Sequence, residues 1–332
     1  MLKMPTFKAE RAWLAPMSGS TDAAFRRQVV KFGARAVVSE MVAGDALLAS
    51  RTDMVRKICR HDGEGLWIVQ LAARRPEDMR AAAALLVDLG VDVIDINMGC
   101  PSRQVTSGRS GSALMREPDL ALRIIDATLE GAGNTPVTLK MRMGWDDDLL
   151  NAPYIGLAAQ ERGIQLLTVH GRTRCQFYKG TADWQRIRDT VDAVDLPVIA
   201  NGDIHSLDTA KSALRASGAY GVMIGRSAMG QPWVVGEVAA ALDGKSYKPP
   251  TLSEQVTSLC EQIEDSLDLY GTTLGLRIVR KHVSACLAKL SIPMAPDTRR
   301  SLQAELCRLG NPKEVIFRLT KLYTGQGLGL AA

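Results

Sequence analysis

The chain has 332 residues, 46% hydrophobic and 23% charged, with a formal net charge of +5. That is the composition of a soluble globular protein large enough for one major core and a smaller second one. No run of about eighteen uncharged apolar residues is present, which argues against a membrane-spanning helix. The six cysteines show neither a Cys-x-x-Cys pair nor a zinc spacing, which argues against a disulfide framework and for a reducing cytoplasm.

The first residues, Met1-Leu2-Lys3-Met4-Pro5, lack the apolar stretch of a secretion signal, so none is expected. Eight short apolar runs follow: Ala12–Ala15, Ala36–Ser39, Trp67–Leu71, Val91–Ile96, Val137–Met141, Leu166–Val169, Val198–Ala200 and Gly221–Ile224. Helix-like stretches separate them, among them Pro76–Leu89, Pro118–Leu129, Ile155–Arg162, Trp184–Val191 and Leu207–Arg215. Alternation of this kind predicts parallel strands with right-handed crossovers. Eight units match a (β/α)8 TIM barrel. A doubly wound sheet competes, but no Gly-x-Gly-x-x-Gly follows the first strand.

Beyond Arg226 the pattern changes. Residues 244–250 hold a Gly, two Lys and a Pro-Pro pair and read as a linker. Thr251 and Glu254 have capping-box spacing, and apolar residues then recur at three- and four-residue steps, which predicts a helix over Ser253–Tyr270. Further helices are predicted near Leu274–Leu290, Thr298–Leu309 and Pro312–Tyr323. The fold expected is therefore α/β: a TIM barrel over 1–243, the linker, an all-helical four-helix bundle over 251–324 and a flexible tail over 325–332. From Arg277 to Arg300 there are six basic residues against one acid. Arg277, Arg280 and Lys281 stand at i, i+3 and i+4, a spacing that places them on one helix face, and a concentrated basic region suits a polyanion.

The stretch Val93–Pro101 carries the sharpest signal. It reads as a buried strand cut off by Gly99 and Pro101, so Cys100 sits in a turn past a strand's carboxyl end. A lone Cys is most often a small core residue, but a turn is a poor place to bury one. The other strands also end in polar residues: Pro16-Met17-Ser18, Glu40, Gln70, Asn97, Lys140 with Arg142, His170, Asn201-Gly202-Asp203 and Gly225-Arg226. In a barrel these gather on the rim that builds active sites. The last two groups lie where barrels hold phosphate, with glycines admitting the ligand to the backbone and Arg226 to pair it. Lys140 interrupts an apolar strand, and an unpaired buried ammonium is costly, so it should face an anionic group such as a reduced flavin. Gln70 can offer a donor and an acceptor to an amide-like ring edge. His170 suits a cofactor contact better than a metal, since no second ligand pair completes a metal site.

Together, Ala15-Pro16-Met17, Asp95-Ile96-Asn97-Met98-Gly99-Cys100-Pro101, Gly111-Ser112-Ala113-Leu114, Val169-His170-Gly171-Arg172-Thr173, Asn201-Gly202-Asp203 and Met223-Ile224-Gly225-Arg226 resemble the tRNA-dihydrouridine synthases, in their bacterial B-type (NifR3-like) branch, over nearly the whole chain. The resemblance implies an FMN-binding barrel, a helical tRNA-binding domain, NADPH as reductant and reduction of a D-loop uridine in tRNA. It implies that Pro16, Met17 and Ser18 border the flavin ring, that Gln70, Lys140 and His170 contact it, and that Asn201, Gly202, Asp203, Gly225 and Arg226 hold its phosphate. It further implies that hydride passes to C6 of an extruded uracil while Cys100 protonates C5. Asn97 and Arg142 are expected to position flavin or uridine, and Arg277, Arg280 and Lys281 to bind tRNA. No metal is expected, and a monomer is. Several members of the family carry a Lys between the residues matching Val105 and Gly111. Here the span is Thr106-Ser107-Gly108-Arg109-Ser110, so either Arg109 supplies that charge or the loop is more mobile. An FMN barrel reductase of a free pyrimidine and a non-catalytic RNA-binding regulator are the competing readings. The basic bundle speaks against the first, and Cys100 with its cofactor rim against the second.

Overall fold

The structure is a computed structural model that describes residues 10–289 and 294–323. The expectations for Met1–Pro5, for Leu290 at the end of a helix and for the tail over 325–332 lie outside the described residues. Among the described residues nine strands form, in chain order β1 (Ala12–Leu14), β2 (Ala36–Val38), β3 (Val42–Ala43), β4 (Leu66–Ala72), β5 (Val93–Met98), β6 (Val137–Arg142), β7 (Leu167–His170), β8 (Val198–Asn201) and β9 (Gly221–Ile224). All pairings are parallel, β1 pairs with β9, and β2 pairs with β4, so eight strands close into a ring. The sequence reading omits β3, a two-residue extension laid beside the end of β4.

Strand phase explains the interior. Side chains alternate faces along a strand. Trp13, Ala36, Ile68, Val93, Leu166, Ile199 and Met223 fill the inside of the barrel as one apolar cluster. Ile94, Ile96, Leu139, Met141, Leu167 and Val169 point outward into a second cluster beneath the surrounding helices. One step further along the inward rows come Gln70, Asp95 with Asn97, Lys140 with Arg142, Asn201 and Gly225. The inside of the barrel is thus an apolar plug below and a polar layer above, at the carboxyl ends of the strands.

Helices Pro76–Asp88, Pro118–Ala132, Ala152–Arg162 and Leu207–Ser217 lie close to their predicted spans. The stretch from Trp184 does not begin a helix, which forms only over Arg188–Ala193. There the indole Nε1 donates to the Gly202 carbonyl at 2.8 Å, a tertiary bond that outweighs local propensity. Helices Ala23–Lys31 and Val234–Leu242 are additions to the sequence reading.

After residues 245–250, which have no regular structure, come helices Leu252–Tyr270, Thr272–Lys289, Pro296–Arg308 and Pro312–Tyr323. They share a core of Val256, Leu259, Ile263, Val279, Val283, Leu287, Leu302, Leu306, Val315 and Leu319. The first is closed by the capping box of Thr251 and Glu254. The bundle is seated on the barrel through helix Ala23–Lys31: Ser258 Oγ donates to Gln28 Oε1 at 2.9 Å, and Lys31 pairs with Glu261 at 2.7 Å. At Gly230 (φ +75°) a Cβ would lie 2.4 Å from the Ala285 carbonyl carbon, so this loop meets helix Thr272–Lys289 backbone to backbone and has no room for a larger residue.

Candidate active site

A cavity of about 1020 Å³ opens at the carboxyl ends of the strands. Most of the barrel residues singled out from the sequence line it: Pro16, Met17, Ser18, Gln70, Asn97, Cys100, Lys140, Arg142, His170, Asn201, Gly202, Asp203, Gly225 and Arg226. Glu40 does not line it. It is buried beside Lys57 and Asp22, where desolvation raises its carboxyl above the ordinary range.

On the β4–β6 side the polar groups form a continuous chain. Thr138 Oγ1 donates to Asp95 Oδ1 at 2.6 Å, and Gln70 Nε2 donates to Asp95 Oδ2 at 2.6 Å. Asn97 Nδ2 donates to Gln70 Oε1 at 2.7 Å. Asn97 Oδ1 accepts the backbone N–H groups of Gly99 and Cys100 at 3.1 and 3.0 Å. The turn after β5 is fixed from three more directions. Ser112 donates to the Cys100 carbonyl through Oγ at 2.8 Å and through its backbone at 3.1 Å. Arg142 Nε donates to the Gly99 carbonyl at 2.8 Å. Gly111 (φ +60°) packs so closely that a Cβ would lie 2.9 Å from the Cys100 carbonyl oxygen.

Lys140 is 8% exposed, and its Nζ donates to Asn201 Oδ1 at 3.0 Å, while Asn201 Nδ2 donates to the Met223 carbonyl at 2.8 Å. Burial pushes the ammonium down to about 8, against the pull of the Asp95 carboxylate. Burial likewise pushes Asp95 up to about 6. Burial, together with the cations of Arg142, Lys140, Arg172 and Arg226, holds His170 well below the ordinary imidazole range, so its ring is neutral near pH 7.

The β7–β9 side is cationic. Arg172, 2% exposed, donates to Asp203 Oδ2 at 2.5 Å and to the Gly180 carbonyl at 2.7 Å. Arg226 reaches Asp203 Oδ1 at 3.5 Å, and the Ala182 N–H donates to Oδ2 at 2.7 Å. Against partial burial, these bonds and charges hold the Asp203 carboxyl below the usual range. Asp203 therefore works as an anchor for two guanidiniums, and its carboxylate is no ligand for an anion. Gly202 (φ +116°) leaves a gap that a Cβ would close, 2.7 Å from Ala182 Cβ and 2.8 Å from His170 Cδ2.

Asp95, Arg172 and Tyr178 belong to the site, although the sequence reading gave them no role. Asp95 and Arg172 stand inside the quoted motifs, and Asp95 is in phase with Asn97 on one strand, which is the signal that marks it. Tyr178 lines the mouth with Arg142 and Arg226 guanidinium carbons 5.6 and 5.5 Å from its ring centre. It lies in a loop with no periodicity to flag it.

The basic trio of the bundle is dispersed. Arg277 is exposed. Arg280 turns inward, its Nη2 donating to the Leu309 carbonyl at 3.1 Å. Lys281 reaches across to the Gly19 carbonyl of the barrel. Lys289 donates to the Ser227 and Met229 carbonyls at 2.5 and 2.8 Å, and Arg299 to that of Leu287 at 2.6 Å. Arg109 pairs with Glu117. Among the described residues there is no His/Cys/Asp/Glu group arranged to hold a metal, and no helix long and apolar enough to cross a membrane.

The family model described as dihydrouridine synthase matches residues 13–308. A probable tRNA-dihydrouridine synthase of Rhodobacter capsulatus is 48% identical over 290 residues, 87% of this chain and 89% of its own length. A tRNA-dihydrouridine synthase B of Xanthomonas axonopodis pv. citri is 44% identical over 277 residues, 83% of each chain. Among solved structures, 6-hydroxypseudooxynicotine amine oxidase from Pseudomonas geniculata N1 shares the fold with a TM-score of 0.52 at 14% identity, over 70% of this chain and 47% of its own.

Proposed function

The chain belongs to the dihydrouridine synthase family, and on that premise we propose that it is a tRNA-dihydrouridine synthase that reduces the 5,6 double bond of a D-loop uridine, with FMN as cofactor and NADPH as reductant. The observation that carries the reading is the meeting of Cys100, on a rigid turn, with Gln70, Lys140 and His170 around one cavity mouth.

The cavity suits a flavin mononucleotide by its donor set. Its β7–β9 side offers the Gly202 and Gly225 backbones and the Arg226 guanidinium, which fit a phosphate. Its floor offers the buried Lys140 ammonium and the Gln70 amide, which fit the polar edge of a ring that becomes negative on reduction. Met17 and Met223 add soft apolar surface. Such a cofactor supplies the hydride. The residues of this chain do the rest. Gln70 and Lys140 hold the ring, and neutral His170 contacts it without adding a further charge. Asn97, Arg142 and Tyr178 border the space in which an extruded uracil lies. The Cys100 thiol gives its proton to C5.

A monomer acting on tRNA in the cytoplasm is the state proposed. The purified protein is expected to absorb in the visible as an oxidised flavin and to bleach on anaerobic addition of NADPH. Nuclease digestion and mass spectrometry of tRNA incubated with it should show uridine gaining two hydrogens. A colourless protein that binds no added FMN would refute the reading. Reduction of free uridine at the rate of tRNA would replace it with a free-pyrimidine reductase.

A further inference from the structure

We propose that Asp95 is a positioning residue: its carboxylate sets the orientation of the Gln70 and Asn97 amides and thereby holds the turn that carries Cys100. Its importance for turnover rests on the donor role given to Cys100 above, but the geometry stands apart from that role.

The chain of hydrogen bonds has a direction. At its outer end are two backbone N–H groups, of Gly99 and Cys100, which can only donate. At its inner end is a carboxylate, which can only accept when ionised. Asp95 is 3% exposed, and although burial raises its carboxyl above the ordinary range, each of its oxygens takes a donor, one from Gln70 and one from Thr138. Two primary amides stand between these ends. Each could rotate by half a turn and exchange its donor and acceptor. Only one arrangement satisfies both ends at once: Gln70 gives its NH2 to Asp95 and its oxygen to Asn97, and Asn97 gives its oxygen to the turn. An uncharged amide at position 95 could donate to Gln70 instead. The chain would then run in reverse and aim an NH2 group at the N–H groups of Gly99 and Cys100. The acid is what excludes that second state. Burying it is expensive, and an apolar residue would extend the plug at lower cost, which is why a positioning role explains it.

The test is amide hydrogen exchange, read by mass spectrometry of the peptide spanning residues 97–101 in the purified full-length protein. Asp95→Asn keeps the volume, and in the reversed chain the Thr138 hydroxyl goes on donating to the remaining oxygen at position 95, as it does to Asp95. Exchange in that peptide is expected to rise about tenfold, the effect of one ordinary buried hydrogen bond lost. Peptides of the bundle should be unchanged. Asp95→Asn combined with Asn97→Asp moves the acid to the other end and makes the reversed chain the satisfied one, so protection should return. Unchanged exchange in the single variant overturns the proposal. So does a rise spread over the whole barrel, or failure of the double variant to restore protection. None of these outcomes depends on whether Cys100 donates a proton, which turnover by Cys100→Ala decides separately.

Discussion

The barrel mouth and the helical bundle both carry charged and polar residues but use them in opposite ways. At the mouth, strand phase aims each polar side chain at a common space, and closure of the ring brings eight strand ends together. In the bundle, the basic residues share no target. Arg280 and Arg299 cap carbonyls within it, and Lys281 and Lys289 tie it to barrel loops. A rim converts residue type into chemistry because its geometry is convergent. A helix face is only as functional as what it is left facing.

The largest effect that can break this comparison lies at Cys100. With Cys100→Ala, the rate of dihydrouridine formation is expected to fall by about 10²–10⁴, the span for loss of a positioned acid. Gln70, Lys140 and His170 are untouched, so visible absorbance and bleaching by NADPH should remain. Single-turnover measurement on tRNA with the prereduced variant reads the two apart. Full-rate product formation would show that the mouth positions but does not protonate.

How much of this was legible follows from the same contrast. A period of two, the turn residues and the polar strand ends locate the rim residue by residue, because in a parallel barrel the phase of one strand constrains its neighbours. Asp203 is the partial exception. Its position at the mouth is legible, but its pairing with Arg172 is not, since Arg172 comes from the loop after the preceding strand, β7. The three basic residues at i, i+3 and i+4 do share one helix, yet nothing in their spacing reports that Leu309 and Gly19 stand within reach. Long side chains choose partners after the helices have packed.

A smaller effect sharpens the seam between the two regions. His282, on helix Thr272–Lys289, stacks on Phe25 of the barrel's first helix with ring centres 4.6 Å apart. Burial and the nearby Lys281 push its pKa down to about 3. The unfolded chain therefore binds a proton near 6.5 that the folded one refuses, and stability falls as pH drops from 6.5 toward 3. At pH 5 this costs about 2 kcal/mol relative to neutral pH. Urea unfolding at pH 7 and pH 5 should show His282→Leu losing about that much less than the wild type. An equal loss in both would mean that the ring is not sealed in the seam.

The smallest effect concerns tRNA itself. If the bundle's basic residues are mainly structural, then Arg277, which is exposed, should carry the salt-sensitive share of binding that the trio was expected to carry together. Arg277→Glu is expected to weaken tRNA binding several-fold at about 100 mM salt and to reduce the slope of log affinity against log salt by about 1. Arg280→Ala should instead lower the bundle's stability by about 1 kcal/mol, through the lost bond to Leu309, and leave the slope unchanged. Filter binding across a salt series, beside urea unfolding, separates the two. Matching slope changes in both variants would restore the trio as one phosphate-binding face. A slope change in Arg277→Glu alone shows that Arg280 serves the packing of the bundle and not the phosphates of tRNA.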